Sequence, residues 1–182
     1  VIRITGGRFK GRRLLVPGGK KVRPTTERVR ESIFSIIGDR VQGARVLDVF
    51  AGTGVLGLEA LSRGAVHAVF IERNPRVFSV LKQNIALCNA EKESEVYCLD
   101  WLKGVKKLFE RGLAFDLIFA DPPYDLHLGR RFFENVRELS HPETIVVFER
   151  SAGRSIEFEE DKWKLIRVRK YGETVIDFFG PL

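Results

Sequence analysis

Five apolar runs recur along the chain at intervals filled by helical patterning, and few folds accommodate that rhythm. The runs are 45–50 (RVLDVF), 67–72 (HAVFIE), 95–99 (EVYCL), 115–120 (FDLIFA) and 144–149 (TIVVFE). Stretches 55–63, 75–89, 101–111 and 128–139 read as helices between and beside them. Strands alternating with helices at this spacing form right-handed βαβ units, so the pattern predicts a mostly parallel sheet covered on both faces.

Both ends depart from the rhythm. Near the C-terminus, KWKLIRVRKYG and ETVIDFFG alternate across a short glycine turn, which predicts an antiparallel hairpin added to the sheet edge. At the N-terminus, VIRITGGRFKGRRLLVP alternates apolar and basic residues around Gly6, Gly7 and Gly11 and reads as a β-hairpin with its basic side chains on one face. From Thr25 a helix is expected, with Val29, Ile33, Ile36 and Ile37 at helical spacing, Gly38 as its stop, and Arg28, Arg30 and Glu31 directed elsewhere. The expected organisation is a basic arm over 1–24 and an α/β domain over 25–182.

Charge separates the same two parts. The net charge of +7 resides in residues 1–31, where ten Lys and Arg face only Glu27 and Glu31; the remainder sums to −1. Arginine dominates the basic segment, and its planar fork suits phosphate, so the arm reads as a nucleic-acid-binding face with Arg8, Lys10, Arg12 and Arg13 as candidate contacts. No apolar run reaches the length of a membrane span. Cys88 and Cys98 lie outside any CxxC or Cys/His cluster and are expected as two buried, reduced thiols of a cytoplasmic protein, with neither disulfide nor metal. His67, His127 and His141 are scattered, Ser62, Ser79 and Ser140 have no partner for nucleophilic work, and Phe132 and Phe133 are expected in the core. Nothing resembles an obligate interface, so a monomer is expected.

Two motifs carry chemistry. In LDVFAGTGVLG, Gly52, Gly54 and Gly57 satisfy GxGxxG between a strand and a helix, and Glu72 follows Gly52 at a spacing suited to gripping a ribose. Asp48, at the end of the first of these strands, would oppose a pyrophosphate but attract the ammonium of S-adenosylmethionine (SAM), which has adenine and ribose and no phosphate. Asp100 with Trp101 could hold and cover the adenine; Asp100 serves equally well as a helix N-cap.

The second motif is DPPY, ending the strand at 115–120. An exocyclic amine on a base is a poor nucleophile because its lone pair is delocalised into the ring. Asp121 can accept one of its N–H groups and a carbonyl of Pro122 or Pro123 the other, while Tyr124 offers a stacking face to an extruded base. Such catalysis is positioning and electrostatics, without a strong base.

The segments GGRFKGRRL, VRPTTERVRESIFSII, LDVFAGTGVLGLEALSRGA, FIERN, FDLIFADPPY and YGETVIDFF span nearly the whole chain. In that order they resemble the RsmD-type family of bacterial methyltransferases, which methylate N2 of a guanine in 16S ribosomal RNA. The resemblance implies a class I SAM-dependent methyltransferase fold, a Rossmann-like α/β sheet of seven strands in the order 3-2-1-4-5-7-6. It implies that Arg23, Pro24, Thr25 and Thr26 line the SAM pocket, with Phe50, Ala51, Arg73 and Asn74 beside Asp48, Gly52, Gly54 and Glu72. It also implies that the basic hairpin contacts rRNA, within the small ribosomal subunit or an assembly intermediate. DPPY serves adenine-N6 enzymes on DNA as well. A nucleic-acid-binding protein without catalysis and an NAD-dependent oxidoreductase are the other readings, the last without any residue set for hydride transfer.

Overall fold

The computed structural model describes residues 2–18, 25–123 and 128–182. In chain order they form β1 (Ile2–Arg3), β2 (Arg13–Leu14), α1 (Glu27–Ile37), β3 (Arg45–Asp48), α2 (Val55–Ser62), β4 (His67–Ile71), α3 (Pro75–Leu87), β5 (Ser94–Tyr97), α4 (Trp101–Glu110), β6 (Phe115–Ala120), α5 (Gly129–Arg137), β7 (Ser140–Ser151), β8 (Trp163–Tyr171) and β9 (Thr174–Pro181). Side-chain caps set several helix starts: Thr26 accepts from Val29 N, and Asn74 accepts from Arg76 N and Val77 N ahead of Pro75. Among the described residues no helix is long and apolar enough to cross a membrane.

Strands β3 to β9 make one sheet in the order β5-β4-β3-β6-β7-β9-β8. Counted from β3 this is 3-2-1-4-5-7-6, the order implied by the family resemblance. Strands β3 to β7 pair in parallel, and β9 runs antiparallel to both β7 and β8. The terminal hairpin therefore does more than extend an edge: its second strand is inserted beside β7 and its first becomes the edge. Burial explains the choice. Val175, Ile176, Phe178 and Phe179 of β9 are all buried, whereas β8 exposes Lys164, Arg167, Arg169 and Lys170, charges that blunt an edge against further pairing.

The sheet separates two apolar clusters. One face packs against α1, α2 and α3 through Ile33, Phe34, Leu58, Leu61, Leu81 and Ile85. The other packs against α4 and α5 through Val105, Leu108, Phe132, Phe133 and Val136. The N-terminal hairpin lies on the first face, where Ile2, Ile4, Phe9 and Leu14 are buried in the same cluster.

Arg30 does not point away from the core as its helical position suggested; it is 1% exposed. Its guanidinium lies 3.6 Å from the buried Glu59 carboxylate and donates to Thr25 O and Arg3 O, each at 2.5 Å. Glu59 also accepts from Thr5 N (3.0 Å), Thr5 Oγ1 (2.6 Å) and Gly6 N (2.9 Å). A charge is buried here because Glu59 pairs with it and both terminal guanidinium nitrogens are hydrogen-bonded, while Nε faces Glu59 without a hydrogen bond, a condition that helical periodicity does not reveal. Cys98 is the second correction. Cys88 is buried but Cys98 is exposed, because β5 is an edge strand and ends at Tyr97.

Candidate active site at the carboxyl ends of the strands

The turn from β3 into α2 is built by its glycines. Gly52 and Gly54 have φ of 55° and 81°, left-handed conformations that favour glycine. A Cβ on Gly54 would lie 2.4 Å from Leu81, and one on Gly57 2.3 Å from the Phe70 ring, so helix and sheet approach closely here. The Cβ direction of Gly52 is open, which leaves its backbone accessible from the crevice. Ala51 N is tied to Ile71 O at 3.0 Å. Across the crevice, Glu72 follows β4 and accepts from Gly52 N at 3.0 Å and Asn74 N at 2.7 Å, which fixes the plane of its carboxylate.

The remaining sequence-predicted cofactor residues are placed as follows. Arg73 is exposed, and Asn74 caps α3. Phe50 is half-buried against Trp101, with ring centroids 6.1 Å apart. Trp101 is itself buried between Phe50 and Phe132, so its ring belongs largely to the core. Asp100 caps α4 through Leu102 N at 3.0 Å. Arg23 and Pro24 lie outside the described residues, as does Tyr124.

Three carboxylates stand toward the carboxyl ends of three neighbouring parallel strands: Asp48 closes β3, Asp121 follows β6, and Glu149 lies two residues before the end of β7. Val46 of β3, Phe119 of β6 and Val147 of β7 share one apolar cluster, and two residues on from each stand Asp48, Asp121 and Glu149, on the same face by strand alternation. Asp48 is buried, accepts from Gly57 N at 3.3 Å, and is pushed up to about 7 by desolvation, with Glu72 adding to the effect. Asp121 is held well above the usual carboxylate range, first by desolvation, then by the charges of Glu149 and Asp48. Such a crevice attracts a cation and repels phosphate. Its open glycine backbone, fixed Glu72 and clustered acids therefore fit a cationic, phosphate-free nucleoside such as SAM and fit NAD poorly.

Glu149 was not singled out among the site residues, although it ends the run TIVVFE. It is 6% exposed, and its Oε2 accepts from Thr25 Oγ1 at 2.8 Å, so the segment before α1 is fastened to the end of β7. Thr26 beside it caps α1. Pro122 is buried and Pro123 exposed. Both line a cavity of about 590 Å³, together with Glu149, Arg150, Ser151 and the start of α5.

The basic hairpin sits on α2, the helix that begins at the glycine turn. Phe9 N donates to Ser62 Oγ at 2.8 Å, and Ser62 Oγ donates to Gly6 O at 2.5 Å. Arg8, Lys10, Arg12 and Arg13 are all exposed. Arg8 pairs with Glu93 at 2.7 Å and lies over the Phe9 ring. Arg12 lies over the same ring and donates to Leu87 O.

The chain matches the family described as "Conserved hypothetical protein 95" over residues 2–180. It is 34% identical over 180 residues to "Putative rRNA methyltransferase YlbH" of Bacillus subtilis, with 98% of each chain covered. It is 41% identical over 123 residues to "Ribosomal RNA small subunit methyltransferase D" of Escherichia coli, covering 68% of this chain and 60% of that one. The solved structure "Putative methyltransferase yhhF from Escherichia coli" superposes with a TM-score of 0.87 at 31% identity, over 99% of this chain and 97% of that one. The fold alone is shared with "SMU.776, a putative methyltransferase complexed with SAH", at a TM-score of 0.67 and 12% identity, over 80% of this chain and 48% of that one.

Proposed function

The chain belongs to the RsmD-type family, described as conserved hypothetical protein 95, and from that premise we propose that it methylates the exocyclic N2 amine of a guanine in 16S rRNA, with SAM as methyl donor. The observation that carries the reading is the position of Asp121, at the end of β6, on the same sheet face as Asp48 of the neighbouring β3. A group that can accept from an amine thus stands beside a crevice suited to a cationic nucleoside. RNA modification is what the names of the relatives YlbH and methyltransferase D describe.

SAM, when bound, would supply an electrophilic methyl group and leave as S-adenosylhomocysteine once its S–CH3 bond is broken, and the methylated amine would give up one N–H proton to water. Asp48 answers its ammonium, the open backbone at Gly52 admits it, and Glu72 holds its ribose hydroxyls. Asp121 accepts one N–H of the target amine and a proline carbonyl of the DPP loop the other, which turns the nitrogen lone pair toward the incoming methyl. Preorganised acceptors act strongly where water is displaced. Tyr124, next in the motif, stacks on the base. Arg8, Lys10, Arg12 and Arg13 hold the rRNA phosphates, on naked RNA or on an assembling small subunit.

The test is methyl transfer from labelled SAM to naked 16S rRNA and to assembling subunits, followed by mass analysis of nucleosides and mapping of the modified position. The expected product is N2-methylguanosine at one site. Methyl appearing only on adenine, or no transfer to any RNA, would overturn the proposal.

A further inference from the structure

We propose that the edge strand β8, with Arg28 of α1 beside it, is a second rRNA-binding face, and that its Arg167 and Arg169 hold phosphates next to the target nucleotide. The inference rests on the RNA-methylation reading above and adds a surface that the basic hairpin does not provide.

The net charge conceals this face. Residues 32–182 sum to −1, yet 162–170 hold five Lys and Arg and no acid. Lys164, Arg167, Arg169 and Lys170 of β8 are exposed and form no salt bridge among the described residues. Register places two of them. Val147 of β7 pairs with Phe178 of β9, which pairs with Arg167; Glu149 pairs with Ile176, which pairs with Arg169. Residues directly opposite one another share a face, and Phe178 and Ile176 belong to the cluster beneath α1 and α2. Arg167 and Arg169 therefore stand on the sheet face that carries Asp48 and Asp121. Two strand spacings, about 10 Å, separate Arg169 from Glu149 at the carboxyl rim. Helix α1 borders the strand, because the Ser32 and Tyr171 hydroxyls are hydrogen-bonded. Arg28, one turn before Ser32 on the same side of α1, is exposed and likewise forms no salt bridge among the described residues.

The hairpin cannot serve the same nucleotides. It meets α2 at Ser62, the helix end away from the glycine turn. Eight residues of helix, about 12 Å, lie between that contact and the turn, so the hairpin cations grip RNA at a distance from Asp121. A base extruded toward the DPP loop brings the phosphates on either side of it to the rim, where the crevice carboxylates repel them. Arginines of β8 and α1 at that rim supply the opposite charge, in a fork that suits phosphate. The exposed acids of the flanking segments, Glu27, Glu31 and Glu173, pair with none of these cations. A second copy of this chain fits the edge poorly. Pairing β8 with β8 would set four cations against four, and the register shift between Leu165 and Arg167 spoils the ladder.

The experiment measures binding of the full-length protein to 16S rRNA from about 50 to 200 mM salt, and methylation kinetics at saturating SAM. Arg167→Ala with Arg169→Ala is expected to make the salt slope shallower by about 1.5, at about 0.7 to 0.9 per phosphate contact. The KM for RNA should rise by at least about tenfold while kcat stays within about twofold. Arg28→Ala, on a separate element, should lower the slope by about 0.8. SAM binding and a thermal melt establish that each variant is folded. Lys82→Ala with Lys106→Ala removes the same charge from exposed positions of α3 and α4 and should leave the slope within about 0.3 of wild type. A slope unchanged in the β8 variant, or lowered equally by the lysine pair, overturns the proposal. So does weaker binding to assembling subunits alone, with naked rRNA held as before, which would assign β8 to a protein of the particle. Failure of the methyltransferase reading has a different signature: wild type then binds rRNA with its full salt slope and transfers no methyl to it.

Discussion

The buried Asp48 carboxylate accepts the Gly57 backbone N–H at 3.3 Å, across the turn that opens α2. One long bond is poor compensation for removing a carboxylate from water, and burial pushes Asp48 from 3.8 up to about 7. The folded chain therefore keeps this proton where the unfolded chain loses it. Stability from this group is fully present below pH 3.8 and is lost as pH rises through about 7. Asp48→Asn removes the effect. It is expected to gain stability relative to wild type between pH 5 and pH 8, by on the order of 2–4 kcal/mol, in the absence of ligand. Denaturant midpoints of both proteins at the two pH values measure it; parallel behaviour would show that Asp48 is ionised throughout.

The same proton links Asp48 to the cofactor. In the proposed function a SAM ammonium is held by the ionised carboxylate, so binding would expel the proton when pH is below about 7. SAM affinity is expected to rise with pH through that region, and calorimetry in buffers of different ionisation heat should register proton release at pH 6 that vanishes at pH 8. In Asp48→Asn the affinity should drop by at least about tenfold and lose its pH dependence.

Much of this arrangement was legible in the sequence, because periodicity reports on the backbone. The alternation of runs and helices located β3 to β7, and the glycine spacing located the turn at 52–57. What periodicity cannot show is which polar residues find partners. Arg30 sits at an outward-looking helical position, yet Glu59 and two carbonyls draw it inside. Glu149 looks like the end of one more apolar strand; its neighbours Asp121 and Thr25 are separated from it by 28 and 124 residues in the chain and are adjacent only once folded. The insertion of β9 between β7 and β8 reflects a competition for burial that local alternation, shared by both strands, does not decide.

Asp121→Ala removes the proposed carboxylate acceptor for the target amine while leaving the glycine turn, Asp48 and Glu72 in place. The turnover number is expected to fall by about 100-fold or more, the usual cost of losing one preorganised electrostatic partner. SAM affinity should change little, since Asp48, Glu72 and the Gly52 backbone keep their places and hydrogen bonds. Single-turnover methylation with saturating SAM separates the two quantities. Equal losses in both would assign Asp121 to cofactor binding.

Lys10 and Arg13 are exposed on the hairpin and form no salt bridge among the described residues. Reversing both, Lys10→Glu with Arg13→Glu, should leave stability within about 0.5 kcal/mol of wild type. Each lost phosphate contact reduces the salt slope of RNA binding by about 0.7 to 0.9. Binding to 16S rRNA measured from 50 to 200 mM salt should therefore weaken, with a slope shallower by about 1.5. An unchanged slope would place the rRNA elsewhere on the surface.

Glu59 gathers the hairpin, α1 and α2 around one buried charge. It accepts from Thr5 and Gly6 of the hairpin, from Arg63 just past the end of its own helix, and faces Arg30 at 3.6 Å. Glu59→Ala would strand the Arg30 guanidinium, 1% exposed, with a charge it cannot shed, and would leave the Thr5 and Gly6 N–H groups without their acceptor. Breaking a buried pair in this way costs about 3–5 kcal/mol, more than replacing both members together. The double variant Arg30→Met, Glu59→Leu should therefore be more stable than Glu59→Ala, although its hairpin N–H groups remain unpaired. The hairpin itself should respond differently from the core. Limited proteolysis within residues 2–18 is expected to accelerate in both variants, because both lose the acceptor that seats Thr5 and Gly6, while only Glu59→Ala shows the larger drop in denaturant midpoint. If the double variant is as unstable as the single one, hydrogen bonding to the hairpin rather than charge pairing with Arg30 dominates the clasp.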